Sequence, residues 1–200
     1  MITVIDYGLG NLASVANALE KLEIPYEISS NVYVLKNAKA FILPGVGAAG
    51  QGMKNLKAKG IDNVLINQAK NGTPILGICL GMQLLFSSSE EGNVECLELV
   101  KGKVKKFNST LKVPQIGWNQ VEKSEETRLL KSIKNNSYLY FVNSYYCEPE
   151  NKDISKGKTD YDLKFCSVLE KDNIYGVQFH PEKSGDVGLQ LLKNFWEVIC

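Results

Sequence analysis

Three side chains of this sequence have the chemistry needed to attack an acyl group: the thiol of Cys79, the imidazole of His180 and the carboxylate of Glu182. A thiol becomes a strong nucleophile when an imidazole takes its proton, and a carboxylate can hold that imidazole in one tautomer and orientation. The chain contains a single histidine, so any imidazole chemistry must use it. Residues two apart in an extended segment point the same way, which lets Glu182 reach the ring. We therefore predict a cysteine–histidine–glutamate triad.

Cys79 lies between an apolar run that follows Pro74 and a helix-like pattern that begins at Leu80. A strand, a sharp turn and a helix are the setting in which a G-x-S-x-G segment exposes its nucleophile, and Gly77-Ile78-Cys79-Leu80-Gly81 has a cysteine at that position. The positive end of the following helix would favour a thiolate. The alternative interpretation is a buried core cysteine. The single histidine with its glutamate favours the reactive interpretation.

The segment Leu43-Pro44-Gly45-Val46-Gly47 follows another predicted strand. In an open α/β sheet, sites form at the carboxyl ends of strands, where a glycine-rich turn can direct backbone N–H groups at a developing oxyanion. The same glycines match the dinucleotide fingerprint G-x-G-x-x-G. They do not follow the first strand, however, and Lys70 stands where that fingerprint needs an acid. We expect an oxyanion turn here.

Short apolar strands alternate with amphipathic helices through the first half of the chain, which predicts a mostly parallel sheet with helices on both faces. The expected strands there are residues 2–6, 26–29 and 40–43 and the run before Cys79. From about Glu98 the predicted strands dominate, at residues 99–107, 113–121, 137–146, 164–169 and 174–179. These indicate an antiparallel extension. A helix over residues 184–198 ends the chain, and we expect residues 1–200 to form one domain.

Composition excludes several classes of protein. A net charge of +1 suggests neither nucleic acid nor an anionic membrane as partner, and no apolar run approaches the roughly 18 residues of a membrane helix. The five cysteines lack C-x-x-C spacing, which argues against a zinc site or a disulfide framework. The N-terminus looks like a core strand and not a signal peptide. We expect a protein of the reducing cytoplasm, without a metal ion.

Two segments, Gly77-Ile78-Cys79-Leu80-Gly81-Met82-Gln83 and Phe179-His180-Pro181-Glu182, resemble the class I glutamine amidotransferases. Further segments resemble the HisH family, the glutaminase subunits of imidazole glycerol phosphate synthase: Asp6-Tyr7-Gly8-Leu9-Gly10-Asn11, Pro44-Gly45-Val46-Gly47, Ile116-Gly117-Trp118-Asn119, residues 140–146 and His180-Pro181-Glu182-Lys183-Ser184. The resemblance covers essentially the whole chain. It implies the flavodoxin-like fold of class I glutamine amidotransferases, with a mixed, mostly parallel sheet, helices on both faces and an antiparallel extension.

The resemblance implies an activity that uses the predicted triad. Cys79 would attack the side-chain amide of glutamine and form a thioester with release of ammonia, while His180 moves the protons and Glu182 orients it. Backbone N–H groups of Val46 and Leu80 would form the oxyanion hole, after the Gly45–Val46 peptide has reoriented under control of a partner. No cofactor is implied. The implied glutamine-binding residues are Gly47, Gln83, Glu91, Ser144 and Tyr145, although Glu91 also fits an ordinary solvated loop acid.

The resemblance further implies a partner, a (βα)8-barrel cyclase subunit of the HisF type that receives the ammonia and makes imidazole glycerol phosphate and AICAR in histidine biosynthesis. Asn11, Tyr140 and Lys183 match positions of that interface, and each also fits an ordinary surface residue. The family commonly has histidine where this chain has Asn143. That departure leaves an alternative open, in which a HisH-like paralogue supplies ammonia to an amidino-sugar synthase.

Two other classes compete with these. A cysteine peptidase or γ-glutamyl hydrolase would use a similar elbow, but the Gly-Trp-Asn segment and the Pro-Gly-Val-Gly turn speak against it. A catalytically idle interaction subunit would not be expected to keep all of Cys79, His180 and Glu182.

Overall fold

The computed structural model describes residues 1–199. The strands are β1 (Ile2–Ile5), β2 (Tyr26–Ser29), β3 (Phe41–Leu43), β4 (Ile75–Ile78), β5 (Ser88–Ser89), β6 (Val94–Glu95), β7 (Gly102–Lys106), β8 (Gln115–Lys123), β9 (Ser137–Asn143), β10 (Tyr145–Pro149), β11 (Ser155–Asp160), β12 (Lys164–Lys171) and β13 (Ile174–Val177). The helices are α1 (Leu12–Lys21), α2 (Val32–Lys36), α3 (Ala49–Ala58), α4 (Ile61–Lys70), α5 (Leu80–Leu84) and α6 (Gly185–Ile199).

Five parallel strands form the centre of the molecule, in the order β2-β1-β3-β4-β13. Every residue of β1, β3, β4 and β13 is buried, as expected for strands covered on both faces. Apolar side chains of α1 and α6 pack on one face of this sheet, and those of α2 to α5 pack on the other. The predicted parallel sheet with helices on both faces is confirmed.

The sheet continues beyond β13 through β12, β10 and β7 to the short strands β5 and β6, while β11, β8 and β9 extend from β12 as a branch. Pairing in this extension is antiparallel, except between β5 and β7. The predicted antiparallel extension is confirmed, but the sequence interpretation missed α2, β11 and the short strands β5 and β6. It also predicted one strand over residues 137–146, and this was wrong.

The chain bends at Ser144, so that the predicted single strand is two strands with different neighbours. Strand β9 pairs with β8, whereas β10 pairs with β7 and is in register with β12 only at Cys147 and Cys166. The carbonyl oxygen of Ser144 accepts a hydrogen bond from the Phe107 N–H at 3.1 Å. The bend directs Asn143, Ser144 and Tyr145 towards the ends of the parallel strands.

Two neighbouring parallel strands set up the site. Strands β4 and β13 pair with Ile78 opposite Val177, so the segments that follow them, which contain Cys79 and His180, leave the same edge of the sheet. Gly77 and Gly176, also a registered pair, give room for Met82 of α5. Among residues 1–199, the helices are all too short or too polar to cross a bilayer.

Candidate active site

A cavity of about 300 Å³ opens at the carboxyl end of the parallel strands. Its wall contains all of the sequence-predicted site residues except Glu182, Asn11 and Tyr140. The lining residues are Val46, Gly47, Cys79, Leu80, Gln83, Glu91, Pro114, Val142, Asn143, Ser144, Tyr145, His180 and Lys183. Residues that lie far apart in the sequence are therefore brought together, as the triad and glutamine-binding predictions required.

Cys79 occupies a strained turn between β4 and α5. Its φ of +54° and ψ of −111° lie where a residue with a side chain is rarely found. The turn is fixed on one side by the Cys79 N–H, which donates to the carbonyl oxygen of Val177 at 2.8 Å. On the other side, Gly81 lies so close to the carbonyl oxygen of Leu43 that a Cβ there would overlap it. The sulfur is thus presented at the cavity wall with only 6% of the residue exposed.

His180 is held in place through one nitrogen of its ring and along its backbone. Its Nδ1 lies 2.8 Å from Oε1 of Glu182, and its N–H donates to the carbonyl oxygen of Tyr140 at 2.9 Å. The hydroxyl of Ser184 donates to the His180 carbonyl oxygen at 2.6 Å. Glu182 belongs to a single 3-10 turn, Pro181–Lys183, and its side chain is 2% exposed. The remaining ring nitrogen is left to face the cavity and Cys79.

The environment of His180 favours its protonated form. Burial by itself lowers the pKa of this imidazole, but hydrogen bonds to Cys79 and Glu182 and the negative charges of these two groups raise it from 6.5 to about 10. A charged imidazole between a thiol and a carboxylate is the arrangement that stabilises a thiolate and supplies a proton to a leaving group.

Two residues of the cavity wall, Val46 and Leu80, have backbone N–H groups without an acceptor among the described residues. Gly47 has a φ of +110°, so the turn that contains Val46 uses a conformation that favours glycine. Unpaired N–H groups at a cavity that also holds a nucleophile can stabilise an oxyanion.

The predicted glutamine-binding residues line the cavity together. The Gln83 amide donates to the carbonyl oxygen of Tyr145 at 3.2 Å, and Oε2 of Glu91 accepts from the Ala49 N–H at 2.7 Å. Glu91 is therefore anchored at the start of α3 and is not a freely solvated loop acid. Ser144 and Tyr145 reach the cavity because of the bend between β9 and β10.

The three predicted interface residues lie in different surroundings. Lys183 reaches the cavity wall. The ring of Tyr140 packs against Trp118 with 6.0 Å between centroids. The side chain of Asn11 accepts from the Ser14 N–H at 3.2 Å and so caps helix α1. The interface role of each stays a prediction.

Sequence reasoning missed an exposed apolar face on the β8–β9 hairpin, which we call the hairpin face. It consists of Ile116, Trp118, Tyr138, Tyr140 and Val142. Ile116, Trp118, Tyr138 and Val142 are each between 37% and 61% exposed. Strands were predicted over residues 113–121 and 137–146, but nothing in the sequence indicated that their apolar side faces outwards. Val142 joins this face to the cavity, because its carbonyl oxygen lies 3.8 Å from the Cys79 sulfur.

Asn143 was noted in the sequence as a departure from the family, and the structure puts it inside the cavity. It is 5% exposed, and its Nδ2 donates to the carbonyl oxygen of Tyr145 at 3.0 Å. Its Oδ1 is buried without a partner among the described residues. The side chain of Asn143 therefore forms part of the polar wall of the cavity and not of the outer surface.

Comparison with known proteins shows which family this chain belongs to. Residues 3–198 match the family model described as "Glutamine amidotransferase class-I". The imidazole glycerol phosphate synthase subunit HisH of Moorella thermoacetica is 46% identical over 199 residues, which cover 99% of this chain and 95% of that protein. The subunit HisH of Chlorobium chlorochromatii is 47% identical, with coverage of 99% and 100%.

Solved structures share the fold at much lower sequence identity. A glutamine amidotransferase superposes with a TM-score of 0.80 at 16% identity, covering 100% of this chain and 99% of that one. The structure of PurLQS from Thermotoga maritima gives 0.76 at 17% identity, covering 100% and 98%. These likenesses confirm the predicted fold class. The chain belongs to the HisH family of class I glutamine amidotransferases, which are glutamine-hydrolysing enzymes.

Proposed function

We propose that this protein is the glutaminase subunit of an imidazole glycerol phosphate synthase and that it supplies ammonia to a barrel-shaped cyclase partner. The proposal rests on one observation above all: Cys79, the Glu182-bound His180 and two residues with unpaired backbone N–H groups, Val46 and Leu80, line one cavity. The names of the relatives, at about 45% identity over almost the whole chain, support the same assignment.

In the first half of the reaction, the Cys79 sulfur bonds to the side-chain carbonyl carbon of glutamine. The carbonyl oxygen becomes an oxyanion, which the N–H groups of Val46 and Leu80 stabilise. Protonated His180 gives its proton to the amide nitrogen, the C–N bond breaks, and ammonia leaves behind a γ-glutamyl thioester. The raised pKa of His180 supports this step, because it keeps the proton donor charged at neutral pH.

In the second half, neutral His180 takes a proton from water as the water oxygen bonds to the thioester carbon. The C–S bond then breaks, which releases glutamate and returns the thiolate with a protonated imidazole. Glu182 holds Nδ1 throughout, so the other ring nitrogen always faces the reacting atoms. Each turnover thus converts glutamine and water into glutamate and ammonia.

The glutamine would lie against Gly47, Gln83, Glu91, Ser144 and Tyr145. The carboxylate of Glu91 offers the negative charge that an α-ammonium group needs, and its bond to the Ala49 N–H holds it at the cavity. The bend at Ser144 contributes backbone polar groups beside the same wall.

The partner would dock on the hairpin face. Clusters of large exposed aromatic side chains are typical of protein interaction surfaces. This face also reaches the cavity through Val142. A HisF-type (βα)8 barrel seated there, in contact with Asn11, Tyr140 and Lys183, would receive ammonia directly from Cys79. We place the complex in the cytoplasm and treat residues 1–200 as one domain, in line with the family model over residues 3–198.

The test is to replace Cys79 with alanine and to assay the complex with the barrel partner. With glutamine as nitrogen source, the variant should lose essentially all synthesis of imidazole glycerol phosphate. With added ammonium salts, it should keep the activity of the native complex. Loss of both activities would contradict delivery of ammonia by this subunit, and retention of both would remove Cys79 from the mechanism.

A further inference from the structure

Gln178 is a buried amide beside the nucleophile to which the triad interpretation gives no role. It directly follows β13, two residues before His180, and it is 0% exposed. Its Nε2 donates to the sulfur of Cys79 over 3.7 Å. Its Oε1 accepts from Nε2 of Gln83 at 3.1 Å. One end of the amide therefore contacts the reacting atom, and the other end is tied to the cavity wall.

The hydrogen-bond network fixes which end of the Gln178 amide faces the sulfur. The Gln83 amide contacts the backbone carbonyl oxygen of Tyr145, and a carbonyl can only accept, so this end of Gln83 must be its NH₂ group. That NH₂ group also contacts Gln178, which must then present its oxygen to Gln83. The NH₂ group of Gln178 is left to point at Cys79. The orientation follows from a backbone acceptor and does not depend on a choice between nitrogen and oxygen.

A thiolate in this position has few other donors. Cys79 is only 6% exposed, so water contributes little, and the carbonyl oxygen of Val142 can accept from the thiol but repels the thiolate. His180 and Gln178 are the side chains that can donate to the sulfur among the described residues. Hydrogen bonds to charged groups are stronger than those between neutral groups.

We propose that Gln178 is a further catalytic residue, whose amide N–H stabilises the thiolate of Cys79, with Gln83 and Tyr145 holding the amide in that orientation. This inference rests on the proposed function of Cys79 as the nucleophile. The thiolate forms when the proton of the thiol moves to His180, and the N–H of Gln178 then lies against the negative sulfur. In the thioester the sulfur is neutral, so the same N–H favours departure of the sulfur when water attacks.

The other groups that titrate near the sulfur come from several elements and stay unchanged in the test. They are His180 with Glu182 behind it, Tyr7 from the loop after β1, Cys147 of β10, and Glu91, Tyr145 and Lys183 on the cavity wall. A shift of the pH profile of Cys79 alkylation in a Gln178 variant therefore reports the lost contact between the Gln178 amide and the sulfur.

The test is alkylation of Cys79 by iodoacetamide in the isolated subunit, followed over pH by mass spectrometry of the Cys79 peptide. Gln178→Met keeps the length of the side chain but removes the donor. The pH at which alkylation reaches half its maximum should rise by about one unit or more, and alkylation near neutral pH should slow roughly tenfold, the effect of one hydrogen bond to a charged group. At high pH the rates of variant and native protein should converge.

Gln115→Met is the matched control. Gln115 is a second buried glutamine, 3% exposed, and its amide has no partner among the described residues. Its replacement should leave the pH profile of Cys79 alkylation where it is in the native protein. Gln178→Glu serves as a second variant, because it keeps the oxygen that Gln83 needs and puts a second oxygen at the sulfur. Its profile should move at least as far as that of Gln178→Met.

Superimposable profiles for the native protein, Gln178→Met and Gln178→Glu would overturn the proposal. A kinetic comparison in the complex adds a second readout, in which kcat with glutamine falls and turnover with ammonium salts is unchanged. Because alkylation needs neither glutamine nor a partner, its outcome is independent of which acceptor the ammonia reaches. Absence of glutaminase activity in the native complex would instead contradict the proposed function.

Discussion

The single histidine of the chain makes its protonation state directly measurable. Native His180 should stay protonated well above pH 7, because Cys79 and Glu182 outweigh the opposing effect of burial and raise its pKa to about 10. In Cys79→Ala, one of these two partners is gone, and the titration midpoint should move to lower pH. NMR of the ¹⁵N-labelled imidazole measures this midpoint directly, because the single histidine gives only one set of signals. Identical midpoints in both proteins would show that the thiol does not affect this imidazole.

The same pKa shift links stability to pH. The pKa of His180 is higher in the folded protein than the 6.5 expected after unfolding, so the folded state binds this proton more tightly. The resulting stabilisation is fully present below about pH 6.5 and declines as the pH rises towards 10. Urea unfolding of native and Cys79→Ala proteins at pH 6 and pH 9 should show a larger decline for the native protein. An equal decline would contradict the linkage.

Tyr7 carries an unpaired buried hydroxyl next to the oxyanion turn. The residue is 0% exposed, its hydroxyl has no partner among the described residues, and it lies directly against Gly45. Burial and the charge of Cys79 raise its pKa. Tyr7→Phe should therefore increase the free energy of unfolding by about 1 kcal/mol, because an unsatisfied buried hydroxyl is removed.

Tyr161→Phe provides the comparison for Tyr7→Phe, with the opposite sign. The Tyr161 hydroxyl donates to the carbonyl oxygen of Lys112 at 2.6 Å, so its removal should reduce the free energy of unfolding by about 0.5 to 1.5 kcal/mol. Urea unfolding of the two variants and the native protein at one pH measures both changes in the free energy of unfolding. A loss of stability in Tyr7→Phe as large as that in Tyr161→Phe would mean that the Tyr7 hydroxyl is satisfied in solution.

At the scale of elements, the elbow depends on helix α5 approaching β3 closely. A Cβ at Gly81 would overlap the carbonyl oxygen of Leu43, which belongs to the backbone and cannot swing away. Gly81→Ala should destabilise the protein by at least about 2 kcal/mol. Gly50→Ala is the matched helix variant: nothing lies within 4 Å of its Cβ, and it should gain roughly 0.5 to 1 kcal/mol. Thermal unfolding tests both predictions. Equal Tm values for the two variants would contradict the close approach of α5 to β3.

The hairpin face gives a prediction about assembly. Trp118→Asp should weaken binding of the barrel partner about 30-fold or more. This factor corresponds to a loss of about 2 kcal/mol of binding free energy, which is typical when an interface hot-spot residue is replaced. Tyr33→Asp in α2 changes another exposed aromatic residue, 76% exposed compared with 56% for Trp118, and should leave the affinity unchanged. Calorimetric titration measures both. Equal affinities would exclude the hairpin face as the docking surface.

The sequence predicted the elements of the parallel half well, because buried strands and amphipathic helices have strong periodic patterns. Strand β2 was predicted with its observed bounds. Apart from the short helix α2, the failures lie in the antiparallel extension, where pairing between strands decides the outcome. Residues 137–146 have strand character throughout, and only the change of neighbour from β8 to β7 ends one strand at Asn143. The alternation in β8 gave no sign that Ile116 and Trp118 face outwards while Gln115 is buried.

For the whole molecule, the candidate triad was predictable and its surroundings were not. The chain has one histidine and five cysteines, and Glu182 is the carboxylate two residues from that histidine. Gln178 and Asn143 are ordinary polar residues whose importance depends on what they face across the fold. Sequence spacing cannot reveal that Gln178 contacts a sulfur 99 positions away. These residues come together because the strand order places β4 next to β13.

The position of β13 in the sheet has a consequence for the order in which this enzyme becomes competent. Strand β13 lies between β4 and β12 although it is the last strand of the chain. During synthesis, β1 to β4 leave the ribosome long before the strand that must complete their sheet. The nucleophile therefore waits for its imidazole until synthesis has passed His180. A chain that stops before this residue contains the cysteine but lacks the imidazole, so we expect it to hydrolyse no glutamine.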